Sequence, residues 1–378
     1  MTRVLLLHGG NIPHYRVPIY SYLSGYLKSY GLELLVTSSA IQKDNPHPVD
    51  FEYAEMPLSA LNIGRLIYRK HIDVVIMFVD MRHPYLFPTY LVTKGLLGRK
   101  MVWWGQGKDL AAPNARLKNL AYATEQTLCD AIILYAEHLK KYLPKRFHHK
   151  AFVANNTLSI SYDGLPADRR QGVLDEYGIH TRKNIICLGR LQKRKRIDSL
   201  VAAHASMNRP DIGLILAGPD TEGVLKEVSG RNVFKVGPIY GSKKFDLLSA
   251  SDVYCLPGAV GLSIVDAFHC GLPLITEGTY ESAEMMYLKD GENGFLVEPG
   301  NLQVLASKLL LLLDNDKLRK RFSEAAKREI STNGHIDKLC AGFRDALLYA
   351  VGPKKAKPAA HSGAQNGGAE RVTASEVR

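Results

Sequence analysis

Residues 252–276 read Asp252-Val-Tyr-Cys-Leu-Pro-Gly-Ala-Val-Gly-Leu-Ser-Ile-Val-Asp-Ala-Phe-His-Cys-Gly-Leu-Pro-Leu-Ile-Thr276. Val253 to Leu256 is an apolar run of strand length, Pro257 to Gly261 is a Pro-Gly loop, and a helix follows. Ser263 with Asp266 three residues on approximates a capping box and sets the helix start there. Gly271-Leu-Pro273 ends the helix, and Leu274 to Thr276 opens the next strand. A glycine loop that feeds a helix start offers backbone N–H groups and the positive end of a dipole, the features that hold a diphosphate. An ordinary βαβ crossover has the same outline. The stretch decides the fold before it decides the function.

On either side the strand–helix alternation continues. Asn184 to Leu188, Gly213 to Ala217 and Val233 to Val236 are further apolar strands upstream of it. Before them stand Val4 to Leu7, Glu33 to Thr37, Asp73 to Val79, Lys100 to Trp104 and Ala131 to Tyr135, with a helix from about Pro18 to Tyr30. Such alternation predicts parallel sheets covered on both faces. The chain reads as an α/β protein of two Rossmann-like, doubly wound domains facing a central cleft, where open α/β sheets bind ligands. The first domain spans 1–160 and the second 161–351. The last helices cover Leu302 to Leu313, Asp316 to Ile330 and Ile336 to Tyr349, the final one free to pack back on the first domain. From Gly352 the composition falls to Lys, Pro, Ala, Gly, Ser and Gln, so 352–378 is expected to be a disordered tail.

Composition narrows the partners without choosing one. Lys and Arg exceed Asp and Glu by 49 − 37 = 12 over 378 residues, which suits phosphates, nucleic acid or an anionic membrane. The basic residues lack the interleaved aromatics of a nucleic-acid module, so no nucleic acid is expected. Five scattered cysteines form no Cys-x-x-Cys pair and fit a reducing compartment. No apolar run approaches the roughly 20 residues that span a bilayer. The expectation is a cytoplasmic protein, peripheral on the inner face of the cell membrane. Arg16, the tyrosines 20, 22, 26 and 30, and the basic stretch Lys140 to Lys150 are the residues that would rest on anionic lipid. Half-buried tyrosines that merely pack are the plainer reading.

The residues able to carry chemistry gather at strand ends. Gly189-Arg-Leu-Gln-Lys-Arg-Lys-Arg196 follows the first strand of the second domain. Arg190 and Lys195 are placed to neutralise a departing diphosphate, whereas Lys193, Arg194 and Arg196 read as a solvated basic loop. Asp266 suits a ribose diol or its own helix cap equally. Gly9-Gly10-Asn11 lets first-domain backbone approach a ligand, or serves a tight turn. His148-His149 lacks ligand-spaced neighbours, and no metal site is expected.

Gly189-Arg190-Leu191 with Lys195, Leu216-Ala-Gly218, Ser249-Ala-Ser-Asp252, Pro257 to Pro273 and Gly291 to Gly300 stand in the order and spacing of family-four glycosyltransferases. The chain resembles these GT-B enzymes of the glycogen synthase and mannosyltransferase superfamily over about 184–300. The first domain is similar only through Tyr15-Arg-Val-Pro18 and Trp104-Gly-Gln-Gly107. The resemblance implies a retaining transferase that takes a sugar from a UDP- or GDP-linked donor to a glycan or lipid-linked glycan, as in cell-surface polysaccharide assembly, with neither resident cofactor nor metal. It implies that Arg190 and Lys195 bind the diphosphate and that Asp266 holds the ribose. The backbone at Gly261, Leu262, Ser263 and Ile264 would face the phosphates. Gly237-Pro238-Ile239 would flank the base, and Gly9, Gly10 and Gly189 would admit the donor. Glu284 would anchor a loop.

Two positions depart from the family pattern. Where relatives carry two glutamates with seven residues between, this chain has Gly258 and Asp266. Where many carry a first-domain histidine, it has Gln106, which hydrogen-bonds a hydroxyl but takes no proton at neutral pH. Asn11, Gln106 and Gly258 are therefore the positions beside the sugar or acceptor. The rival readings are a non-catalytic nucleotide-sugar-binding subunit and a nucleotide-sugar epimerase.

Overall fold

The computed structural model describes residues 1–78, 86–110 and 114–352. The first domain comprises β1 (Thr2–Leu7), β2 (Asn11–Ile12), α1 (Arg16–Lys28), β3 (Leu32–Ser38), β4 (Ala40–Ile41), β5 (Glu52–Glu55) and α2 (Ala60–Arg69). It continues with β6 (Val74–Phe78), α3 (Leu86–Tyr90), β7 (Lys100–Gly105), α4 (Arg116–Leu128), β8 (Ala131–Leu134) and β9 (Ala151–Val153). Seven of its strands form one parallel sheet in the order β5-β3-β1-β6-β7-β8-β9. β2 and β4 form a separate parallel pair at the edge of the glycine turn. Val4 to Leu7 and Val74 to Met77 are fully buried, as apolar runs sandwiched between helices must be.

The second domain follows with α5 (Arg170–Asp175), β10 (Lys183–Leu188), α6 (Ile197–Met207), β11 (Ile212–Ala217), β12 (Val233–Gly237), α7 (Gly241–Ala250) and β13 (Val253–Cys255). Then come α8 (Ser263–His269), β14 (Leu274–Thr276), β15 (Gly294–Leu296), α9 (Leu302–Asp314), α10 (Asp316–Thr332) and α11 (Ile336–Val351). Its six-stranded parallel sheet runs β12-β11-β10-β13-β14-β15. Both sheets are doubly wound, and the molecule has the GT-B architecture.

α11 does not stay with the domain that precedes it. Ile336, Leu339, Phe343 and Leu347 are buried in the first domain's core, with the Phe343 ring 4.9 Å from that of Trp104. Gly342 allows this approach, because a Cβ there would lie 2.7 Å from Ala154 Cα and overlap the Val153 carbonyl.

The local expectations are met unevenly. α8 begins at Ser263, but the capping box does not form: the residue before the helix is Leu262, and no side chain caps it. Asp266 is used elsewhere. The short edge strands β5, β9 and β15 have no counterpart in the sequence reading, because exposed or single-turn edges carry little apolar pattern. α1 starts two residues ahead of Pro18, which sits in its first turn as proline prefers. Val79 and residues 353–378 lie outside the described residues, and with them nearly all of the expected tail.

Candidate active site

Three neighbouring strands of the second sheet end in glycine at positive φ: Gly189 at 125°, Gly218 at 132° and Gly237 at 79°. These conformations are open only to glycine at little cost. At Gly218 a side chain would also fall on Gly189, 3.2 Å from its nitrogen. At these three positions the carboxyl edge of β10, β11 and β12 carries no side chain, and the space beside Gly189 and Gly237 is open.

Lys195 stands at this edge. The turn 193–195 after β10 is bonded to the loop before α8, through Gly258 N–H to the Lys195 carbonyl at 3.0 Å and Ala259 N–H to the Arg194 carbonyl at 2.9 Å. The Lys195 ammonium donates to the Ala259 carbonyl and is 8% exposed. Burial, helped by the charges of Arg194 and Arg190 and opposed by Cys187 and Glu284, brings its pKa down to about 8. Arg190 is exposed, and its charge reaches Lys195. These bonds tie the 193–195 turn, and with it the Lys195 ammonium, to the loop before α8.

Gly258 gains a physical explanation. A Cβ there would sit 2.8 Å from Lys195 Cα and inside the Arg194 carbonyl. This turn, drawn tight by two hydrogen bonds, leaves no room for a side chain at the position where the family pattern implies a glutamate. At Gly261 the surrounding space is open. Leu262 and Ser263 are half-buried, whereas the Ile264 side chain is fully buried and its N–H already donates to the Gly261 carbonyl at 3.2 Å.

Asp266 is 6% exposed and accepts from Lys244 Nζ at 2.8 Å. Burial raises its carboxyl pKa, and Lys244 opposes that rise. Neither α7 nor Lys244 was marked by the sequence reading, since a lysine on a polar helix face signals nothing until the packing partner is known. Across the gap, His14 faces Tyr240 with ring centroids 5.5 Å apart, and its charge reaches Asp266. Tyr240 follows the exposed Pro238 and buried Ile239 and is itself 54% exposed. The domains also meet where Lys141 Nζ lies 2.6 Å from Glu281 and Tyr142 donates to the same carboxylate.

The first-domain positions are more dispersed. Gly9 and Gly10 form the turn after β1, with Gly10 at φ 79° and its carbonyl accepting from Ser39 N–H at 3.1 Å. Asn11 is exposed in β2, and Gln106 is half-buried just past β7. Arg16, expected on a lipid surface, is instead 6% exposed, and Tyr20 is fully buried with its hydroxyl 2.8 Å from His8 Nδ1. Tyr22 donates to Asp337 at 2.6 Å, and Tyr26 and Tyr30 share the Arg344 guanidinium at 2.9 and 3.2 Å. These tyrosines dock α11, which corrects the membrane reading of α1. Arg196 corrects the solvated-loop reading: it ion-pairs with Glu277, which is 2% exposed. Among the described residues no group of three His, Cys, Asp or Glu side chains could hold a metal ion, and His148 instead faces the Lys140 and Leu143 carbonyls.

Residues 174–329 match the family "Glycosyl transferases group 1". An uncharacterized glycosyltransferase of Methanocaldococcus jannaschii is 26% identical over 255 residues, covering 62% of this chain and 64% of that protein. A phosphatidyl-myo-inositol mannosyltransferase of Mycobacterium leprae is 29% identical over 158 residues, 39% of this chain and 42% of that protein. These matches thus span less than two thirds of either relative's length. In three dimensions the Anabaena protein HepE, crystallised with UDP-glucose, superposes with a TM-score of 0.74 at 16% identity, over 92% of this chain and 99% of that one. The second domain thus carries the group 1 glycosyltransferase match, over residues 174–329, and both domains share the GT-B fold.

Proposed function

We propose that the protein transfers a glycosyl group from a nucleoside diphosphate sugar to a glycan or lipid-linked glycan, with retention of configuration and without a metal ion. One observation carries this reading. A largely buried lysine bonded to the 257–261 loop, an exposed arginine just past β10 and three strand ends that finish in glycine supply the positive charge and backbone that a pyrophosphate needs. In the step, the bond from the anomeric carbon to the phosphate oxygen breaks. The acceptor oxygen bonds to the same face, and its proton passes to the departing phosphate. The charge that develops falls on the diphosphate, so Arg190 and Lys195 would act mainly by stabilising it. Asp266 would turn to the ribose once Lys244 yields, and Gly237 to Ile239 would flank the base. Gln106 and Asn11 remain the first-domain residues offered to the acceptor.

The UDP-glucose bound to HepE makes a UDP-linked donor the first to try, with GDP-linked donors second. A thermal-shift screen over UDP-, GDP- and ADP-sugars tests the donor, since saturation near 100 Kd adds about 2.7 kcal/mol of stability. Transfer assays with and without EDTA, and NMR of the product anomer, test the rest. Arg190→Ala should cost about a hundredfold in turnover, the size of one lost oxyanion-type contact. A donor bound but never cleaved would favour the binding-subunit reading, and donor conversion without acceptor would favour the epimerase.

The reading includes an anionic membrane face, moved to a different surface from α1. Among the described residues no helix is long and apolar enough to cross a membrane. Leu61, Tyr68 and Leu96, exposed by 61, 68 and 80%, surround an apolar groove of about 310 Å³ lined also by Arg65 and Arg69. Exposed apolar side chains beside arginines complement acyl chains under anionic headgroups. Sedimentation with phosphatidylglycerol vesicles, lost in a Tyr68→Ser/Leu96→Ser double variant and absent with phosphatidylcholine, would support it. Binding that survives the double variant would remove this surface.

A further inference from the structure

The Tyr15-Arg-Val-Pro18 stretch stays outside the phosphate site, yet it buries a full positive charge at the domain junction. The Arg16 guanidinium lies 5.2, 5.8 and 5.9 Å from the ring centroids of Trp104, Tyr15 and Tyr135. Its Nη2 donates to Asn156 Oδ1 at 3.3 Å, while Nη1 is buried with no hydrogen-bond partner among the described residues. Aromatic faces replace only part of the water such a charge gives up, so a carboxylate must balance it. The carboxylate reached through the Asn156 amide is Glu284, 6% exposed, and it belongs to the other domain.

The two charges do not touch. Between them stands Asn156, 5% exposed, in the segment that leaves β9 for the second domain. Its Oδ1 faces Arg16, its Nδ2 donates to Glu284 Oε1, and its carbonyl accepts from the Tyr287 hydroxyl at 3.0 Å. Asn155 and Thr157 on either side are bonded to the Asn333 and Gly334 carbonyls. An amide has a donor end and an acceptor end. The Arg16–Asn156–Glu284 chain is complete only when the start of α1, the linker and the turn 283–287 hold one relative placement.

We propose that Arg16 is a positioning residue for glycosyl transfer: through the Asn156 amide it reaches the Glu284 carboxylate of the other domain, and so fixes the relative placement of the two domains. The proposal rests on the transferase reading. It differs from a purely structural role in what it moves. A buried pair that only stabilised the junction would change melting and leave the chemistry of the folded fraction alone. A positioning chain sets how the donor and acceptor sides meet in the transition state, so its loss appears in kcat more than in donor KM.

The test uses Arg16→Lys, Asn156→Asp and Glu284→Gln in the full chain, with kinetics normalised to the folded fraction. Arg16→Lys keeps the charge but cannot span to the amide. It should lower kcat about tenfold, with donor KM within about twofold. Asn156→Asp sets a second carboxylate against Glu284 and should do the same or more. Glu284→Gln keeps the volume and an oxygen for the Asn156 amide but removes the charge, and should lower kcat with donor KM little changed. Folded Arg16→Lys, Asn156→Asp and Glu284→Gln proteins with unchanged kcat would overturn the proposal. Should Arg16→Lys fail to fold, Glu284→Gln decides, because it removes no buried volume. A wild-type protein that neither binds UDP or GDP nor transfers would instead refute the transferase reading.

Discussion

Lys195 is a base whose environment disfavours its charge, and this gives its activity a pH signature. Only the ammonium attracts a diphosphate, and burial has brought its pKa down to about 8. Activity should therefore be full at neutral pH and fall as pH rises through about 8. A kcat/KM profile with its alkaline limb nearer the ordinary lysine value would remove Lys195 from the site. Gly258 makes the second residue-scale prediction. Restoring the family's carboxylate by Gly258→Glu should lower activity, because the Cβ displaces the turn that carries Lys195. Gly258→Ala alone should cost about 1–3 kcal/mol, the usual penalty for overpacking. Denaturant unfolding of the alanine variant checks this, and an unaltered midpoint would show that the turn yields freely. At this scale the sequence was legible where function depends on order along the chain: Arg190, Lys195 and Asp266 stand out by spacing from strand ends. It was opaque where a partner lies far along the chain. Nothing near Gly258 names Arg194 as its neighbour, nothing near Arg196 names Glu277, and a basic residue opening a tyrosine-rich helix reads as surface until three rings close over it.

Elements were legible in proportion to how uniformly they are buried. β1, β6, β8, β10 and β11 are central or near-central strands flanked by helices, and their continuous apolar runs admit few other readings. β5, with both end residues exposed, and β15, three residues long, lie at sheet edges and leave almost no pattern. α11 was visible as a helix, but its docking face depends on one contact that local sequence does not announce. There, Gly342 lets the helix rest on the backbone at Val153 and Ala154. Gly342→Ala improves helix propensity by about 1 kcal/mol yet should still destabilise the protein by about 1–3 kcal/mol, because the methyl has nowhere to go. Thermal unfolding measures the sign directly. A stabilised variant would mean that α11 can slide off β9 without loss.

On the scale of the whole molecule, the described residues join the two domains by an ion pair, an aromatic contact and a hydrogen-bonded linker, with modest apolar packing at Ala283 and Met286. Polar interfaces of this kind permit relative movement, as a cleft that must admit a donor and exclude water requires. The return of α11 to the first domain has a consequence for how the polypeptide reaches this state. During synthesis the strands of the first sheet leave the ribosome first, yet a helix ending at residue 351 completes their hydrophobic core. The second domain, whose core is drawn from residues 173–330, has every piece it needs before that helix emerges. A nascent chain should thus mature from the middle outward, leaving the amino-terminal half exposed until its last helix arrives. Expressed separately, a 161–334 fragment should give a cooperative transition, while 1–160 should bind hydrophobic dye until a 335–352 peptide is added.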